Sequence, residues 1–122
     1  MRKTENWSLM ENWDNLSVQW LCRRAQLLSD NGYVHRALVY QLVAYHMQPS
    51  DEGVQRGLAK MFVLAGDGVR ALEVISTLEQ LNPNAEDVAL SLLRSRAHRV
   101  MGNDAESTRI LTQRLDRLED FE

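Results

Sequence analysis

Four landmarks in the chain recur at one spacing. Gly32 and Gly66 lie 34 residues apart, and so do Ala37 and Ala71, Leu38 and Leu72, and Pro49 and Pro83. A fixed period of this length is the mark of a stacked supersecondary repeat, and it limits the fold more than composition can. The residue types suit such a unit. Glycine after a first helix lets the chain take a left-handed turn. Alanine in the second helix lets neighbouring backbones come close. Proline closes the unit, because it cannot continue a helix and pushes the residue before it toward extended geometry.

Between the landmarks the apolar period is helical. Val18, Leu21, Ala25 and Leu28 form one stripe, and Leu38, Leu42 and Tyr45 another. Val54, Leu58, Met61, Phe62 and Ala65 follow, then Ala71, Leu72, Ile75, Leu78 and Leu81. All fall on 3.6-residue faces. A third, degenerate unit comes next. Gly102 stands 36 residues after Gly66, and this register places Ser107 where the earlier units have alanine. Val88, Leu92, Leu93, Ala97, Val100 and Met101 make its first helix, and Ile110, Leu111, Leu115 and Leu118 its second.

The expected map is six helices in three hairpins: 15–30 with 35–47, 52–65 with 69–81, and 86–101 with 104–119. Asp14 or Ser17, Ser50 or Asp51, and Asn84 are the expected N-caps of the first, third and fifth helices. The period equals that of the tetratricopeptide (TPR) repeat. The expected fold is therefore all-α, with three TPR-like hairpins forming a short right-handed α-solenoid with a concave groove. Residues 1–14 are an N-terminal arm or short cap helix, 15–119 the single TPR-like domain, and 120–122 an acidic tail. The competing fold is an antiparallel helix bundle in which the glycines and prolines coincide by chance.

In such a stack the first helix of each pair lines the groove. The register projects Gln19, Cys22 and Gln26 from the first unit into it. It projects Arg56, Lys60, Val63 and Leu64 from the second, and Leu92, Arg96 and Arg99 from the third. Apolar patches are thus flanked by four cations, although the formal net charge of the chain is −3. A groove of this kind suits an amphipathic helix that carries carboxylates. Trp7, Met10 and Trp13 recur at a spacing of three. They are expected to cap the first hairpin, with partner contact at Trp7 and Trp13 as the alternative. Trp20 is expected to be packed inside the first helix.

Several function classes find no footing. A net-acidic chain is a poor nucleic-acid binder. One cysteine, Cys22, makes no intramolecular disulfide and no multi-cysteine zinc site. His35, His46 and His98 are scattered, without metal-ligand spacing. Gly66-Asp67-Gly68 has no preceding strand and no third glycine, so it reads as a turn rather than a nucleotide loop. Asp51-Glu52 and Glu86-Asp87 sit where carboxylates complement a helix dipole. No enzyme, metal or cofactor is expected. The N-terminus has no apolar run of the kind a secretory signal needs, and no stretch is long enough to span a membrane. A cytoplasmic domain is the expectation.

Beyond the repeat itself, the chain resembles the small TPR chaperones of bacterial type III secretion systems. The likeness rests on size and on collinear segments. These are Leu27-Leu28-Ser29-Asp30-Asn31-Gly32, Arg56-Gly57-Leu58-Ala59, Leu81-Asn82-Pro83, Leu93-Arg94-Ser95-Arg96-Ala97-His98 and Gly102-Asn103. The likeness covers roughly residues 18 to 115 and leaves out the leader with Trp7 and Trp13. The chain looks most like the Y-type assembly chaperone, which holds an early secreted component called the X protein. The G-type chaperone of the needle subunit is second. The resemblance implies a bacterial cytoplasmic protein that holds a helical segment of one small export substrate and presents it to the export gate. With the charge and hydropathy read above, no nucleic-acid partner and no membrane insertion are expected, and an exposed, empty groove is open to self-association. A general TPR scaffold is the rival expectation.

Overall fold

The structure, a computed structural model, describes residues 2–83 and 87–119, and the side chains of 16–83 and 87–117 among them. These residues form six α-helices and no strand. They are α1 (Arg2–Asp30), α2 (Val34–Met47), α3 (Glu52–Leu64), α4 (Gly68–Leu81), α5 (Val88–Val100) and α6 (Asp104–Glu119). The expected arm of residues 1–14 falls largely on backbone that is helical, because α1 begins at Arg2. Residues 2–13 contain no proline and no glycine, so nothing in them breaks a helix. Asp14 and Ser17 therefore lie inside α1 and do not cap it.

The three hairpin turns share one geometry. Gly32, Gly66 and Gly102 have φ of 86°, 83° and 80°. Each lies in a Schellman motif. Tyr33 N–H donates to Leu28 O at 2.8 Å, Asp67 N–H to Phe62 O at 2.9 Å, and Asn103 N–H to His98 O at 2.8 Å. A left-handed residue is required at each place, and glycine takes it without strain.

Aspartates start the helices that follow the long connections. Asp51 Oδ1 accepts from Val54 N–H at 3.0 Å, and Asp87 Oδ1 accepts from Leu90 N–H at 3.0 Å. Asp67 caps α4 in the same way, through Arg70 N–H at 3.1 Å. The cap of α5 is thus Asp87 and not the expected Asn84, which lies outside the described residues. The helix begins at Val88, two residues later than the periodicity suggests.

Each helix packs on the next in the chain, and α3 also meets α1 and α5. Among the described residues the second helices α2, α4 and α6 do not meet one another. This packing is compatible with a helical repeat whose first helices form one layer. The close points inside the hairpins are occupied by small residues. Ala25 and Ala37, Ala59 and Ala71 are all fully buried. The third hairpin has Ser95 and Ser107 at the corresponding places, 2% and 1% exposed. Ser95 Oγ lies 2.8 Å from Ser107 Oγ and donates to Ser107 O at 3.1 Å. The glycine-based register thus finds the small residue of α6, and a hydrogen bond satisfies its buried hydroxyl.

The main core lies around the middle hairpin. Leu58, Ala59, Phe62, Val63, Ala71, Ile75 and Leu78 bury there, joined by Leu90 and Ala97 of α5. Burial of Ile75 alone stabilises by about 2 kcal/mol. Two glycines permit closer approach. A Cβ on Gly68 would come 2.5 Å from Ala97 O, and one on Gly57 would come 2.4 Å from Gln41 Nε2. Trp20 is not packed as expected: it is 55% exposed and meets Tyr40 edge-on at 6.0 Å.

Candidate functional site

The layer made by α1, α3 and α5 carries the projected groove residues. Positions recur along it, so Cys22, Arg56 and Leu92 are equivalent, as are Gln26, Lys60 and Arg96. The structure ties the first two units together at the second of these positions. Lys60 Nζ donates to Gln26 Oε1 at 3.2 Å, while Gln26 Nε2 donates to Asp30 Oδ1 at 2.8 Å. Lys60 is thus a strut between α1 and α3 as well as a cation.

Arg56 is committed inside the fold. It pairs with Glu52 of its own helix at 3.0 Å and with Asp87, the cap of α5. The hydrogen bond from Arg56 holds the Asp87 carboxyl below its ordinary value, and the Leu90 amide adds to the effect. The hydrogen bond to Asp87, and then that to Glu52, raises the Arg56 guanidinium further. Val63 is a correction to the projected groove wall: it is 7% exposed and belongs to the main core. It is buried in one cluster with Phe62, Ala71 and Ile75, so it has almost no surface to offer a partner.

Leu64 and Leu92 are each 45% exposed. Arg96 and Arg99 are exposed on α5, and neither forms an ion pair among the described residues. Apolar surface beside cations that lack carboxylates is the part of the projection on which a partner can act. The side chains of Trp7 and Trp13 lie outside the described residues.

Two hollows open at equivalent places along the stack. The first, about 410 Å³, brings Gln19 and Cys22 together with Val18, Gln48, Asp51 and Val54. The second, about 750 Å³, lies one unit on, where Glu52, Arg56, Asn82, Asp87 and Leu90 take the corresponding positions. Glu79, Arg114 and Arg117 also line this larger cleft, and the groove projection missed all three. A signal was present: Arg114 stands 36 residues after Leu78, at a position the middle hairpin gives to a buried leucine.

Cys22 is half-buried, and its sulfur accepts from Gln41 Nε2 at 3.6 Å. Burial pushes its thiol up; the Gln41 hydrogen bond opposes this and the nearby Asp51 charge adds to it. A thiol in this state is a weak nucleophile. Among the described residues no cluster of histidine, cysteine and carboxylate side chains has the grouping of a metal site. No described helix is long and apolar enough to cross a membrane.

No protein-family model matches the chain, and no curated protein matches it.

Proposed function

We propose that this chain is a secretion chaperone that holds one amphipathic, carboxylate-bearing helix of a small export substrate on its α1–α3–α5 face. The observation that carries the reading is the chemistry of that face. Leu64 and Leu92 leave apolar surface in water, and Arg96 and Arg99 stand on the same layer without acidic partners among the described residues. Apolar side chains of a client helix would cover the leucines, and its carboxylates would meet the arginines. The likeness of residues 18–115 to the Y-type assembly chaperones supplies the client class, an early export component kept soluble in the cytoplasm before export. The G-type reading differs only in naming the needle subunit as client.

Co-purification from the native host, read by mass spectrometry, tests the reading. A tagged chain is expected to bring down one small export substrate in near-equal amount. Recovery of several large proteins instead would make the chain a general scaffold and sink the chaperone reading.

A further inference from the structure

The register makes Trp20, Val54 and Leu90 equivalent, and likewise Leu27, Met61 and Ala97. On α3 and α5 these positions are closed. Val54 is 3% exposed and packs in a cluster with Ala44 of α2, and Met61 is 1% exposed and packs with Ala37 of α2. Leu90 is 5% exposed, and Ala97 is fully buried beside Gly68 of α4. The preceding second helix covers them in both cases. On α1, Trp20 and Leu27 are 55% and 53% exposed, and Leu16 one turn earlier is 58% exposed. Among the described residues no helix lies where α2 lies on α3 and α4 on α5.

One charged position on this face has a telling equivalent. Arg24 corresponds to Leu58 and to Arg94. Arg94 grips Glu79 of the preceding α4 with two bonds, Nε to Oε1 at 2.9 Å and Nη2 to Oε2 at 2.5 Å. Arg24 points from the same register and makes no ion pair among the described residues. Arg23 stands beside it, and Asp30 is the only acid among the described side chains of α1.

We propose that Leu16, Trp20, Arg24 and Leu27 form a docking site for an acidic amphipathic helix of a partner protein. That helix stacks on α1 as α4 stacks on α5, and it sets a carboxylate against Arg24 as Glu79 is set against Arg94. The site is separate from the α1–α3–α5 face. A second copy of this chain fits it poorly. The α6 of such a copy has Leu115 at the place of Glu79, with Arg114 and Arg117 close by in sequence. Packing α1 face to face would set Arg23 and Arg24 of one copy against those of the other. Like charges so placed oppose association.

The test uses a helical peptide with a leucine–alanine stripe flanked by glutamates, and a twin with lysines in their place. Binding is read from Trp20 emission in a Trp7→Phe, Trp13→Phe background, with sedimentation to follow oligomeric state. The glutamate peptide is expected to bind with a blue shift, roughly five- to tenfold more tightly than its twin. Arg24→Glu reverses the preference, and Leu27→Ala weakens both peptides. Gln113→Glu, on the exposed surface of α6, leaves binding unchanged. Both Trp20 and Arg24 are exposed, so the variants keep their helicity. Equal binding of the two peptides, or indifference to Arg24→Glu and Leu27→Ala, overturns the proposal. A concentration-dependent dimer that Trp20→Ala dissolves, without peptide binding, overturns it in favour of self-association.

Discussion

The two junctions between hairpins occupy the same place in the repeat and are built from different chemistry. Where α1 and α2 meet α3, the described residues form no ion pair, and the Lys60 ammonium reaches only the Gln26 amide. Cys22 and Gln41 face each other there, and Gln41 also donates to Val54 O at 3.0 Å, filling the space left by Gly57. Where α3 and α4 meet α5, the junction is ionic. Arg56 bridges Glu52 and Asp87, and Arg94 holds Glu79 across to α4. Both junctions keep the aspartate cap, Asp51 in one and Asp87 in the other. The difference teaches that the repeat fixes backbone, turn and cap, while two positions decide whether the joint holds ion pairs: Cys22 or Arg56 on the first helix, and Leu58 or Arg94 on the helix after the junction.

The largest effects are expected where the junctions and hairpins are alike. Ala37→Glu and Ala71→Glu each place a carboxylate in a fully buried contact between helices. Both are expected to abolish cooperative folding, seen as loss of the thermal transition in circular dichroism. A folded Ala71→Glu chain would break the register itself. Next comes an asymmetric change. Gly68→Ala pushes a Cβ into the backbone of α5 at Ala97 O, whereas the equivalent position in the first unit is already Val34. A loss of about 2 kcal/mol is expected in urea unfolding for Gly68→Ala. Val34→Ala is expected to cost clearly less, since Val34 is only half-buried.

Arg56→Gln removes the cation that bridges Glu52 and Asp87 and is expected to cost about 1 kcal/mol at pH 7. It also changes the acid limb. The Asp87 carboxyl is held below its ordinary value of 3.8. Its contribution is therefore complete above that value and is lost as pH falls through the lowered folded one. Acid unfolding of the parent should steepen below pH about 4 through Asp87, and Arg56→Gln should flatten that limb. The smallest effect is at the junction without an ion pair. Because burial raises the Cys22 thiol, alkylation at pH 8 should run slower than for an exposed cysteine, and urea should restore the ordinary rate.

Much of the fold was legible in the sequence because the landmarks are backbone requirements. A positive φ at Gly32, Gly66 and Gly102 has few chemical solutions, so the glycines betray the turns. The contacts of Ala37, Ala71 and Ser107 have few as well, and the same spacing finds all three. The start of α1 was not legible: Asp14 is a good cap residue, yet without a breaker upstream the helix continues past it. At the candidate site, projection placed Arg96, Arg99 and Leu92 on an exposed face but could not see that Val63 turns into the core. It also could not see that Arg56 is spent on Asp87, a residue 31 positions away. Pairing across a junction depends on how two helices are set against each other, and a periodic pattern in one helix does not encode that. The engagement of Arg56 also decides which variants test binding. Arg56→Glu would bring a third carboxylate to Glu52 and Asp87 and disturb the fold, so Arg96 and Arg99 are the cleaner sites.

The central claim is that the α1–α3–α5 face holds one acidic client helix. Its most direct test is titration calorimetry of the co-purified client against the parent chain and against Arg96→Glu, Arg99→Glu. The account predicts one-to-one binding for the parent and at least about a tenfold loss for the variant, with the thermal transition of the free variant unchanged. Equal affinity for the two chains would contradict it and remove the client from this face.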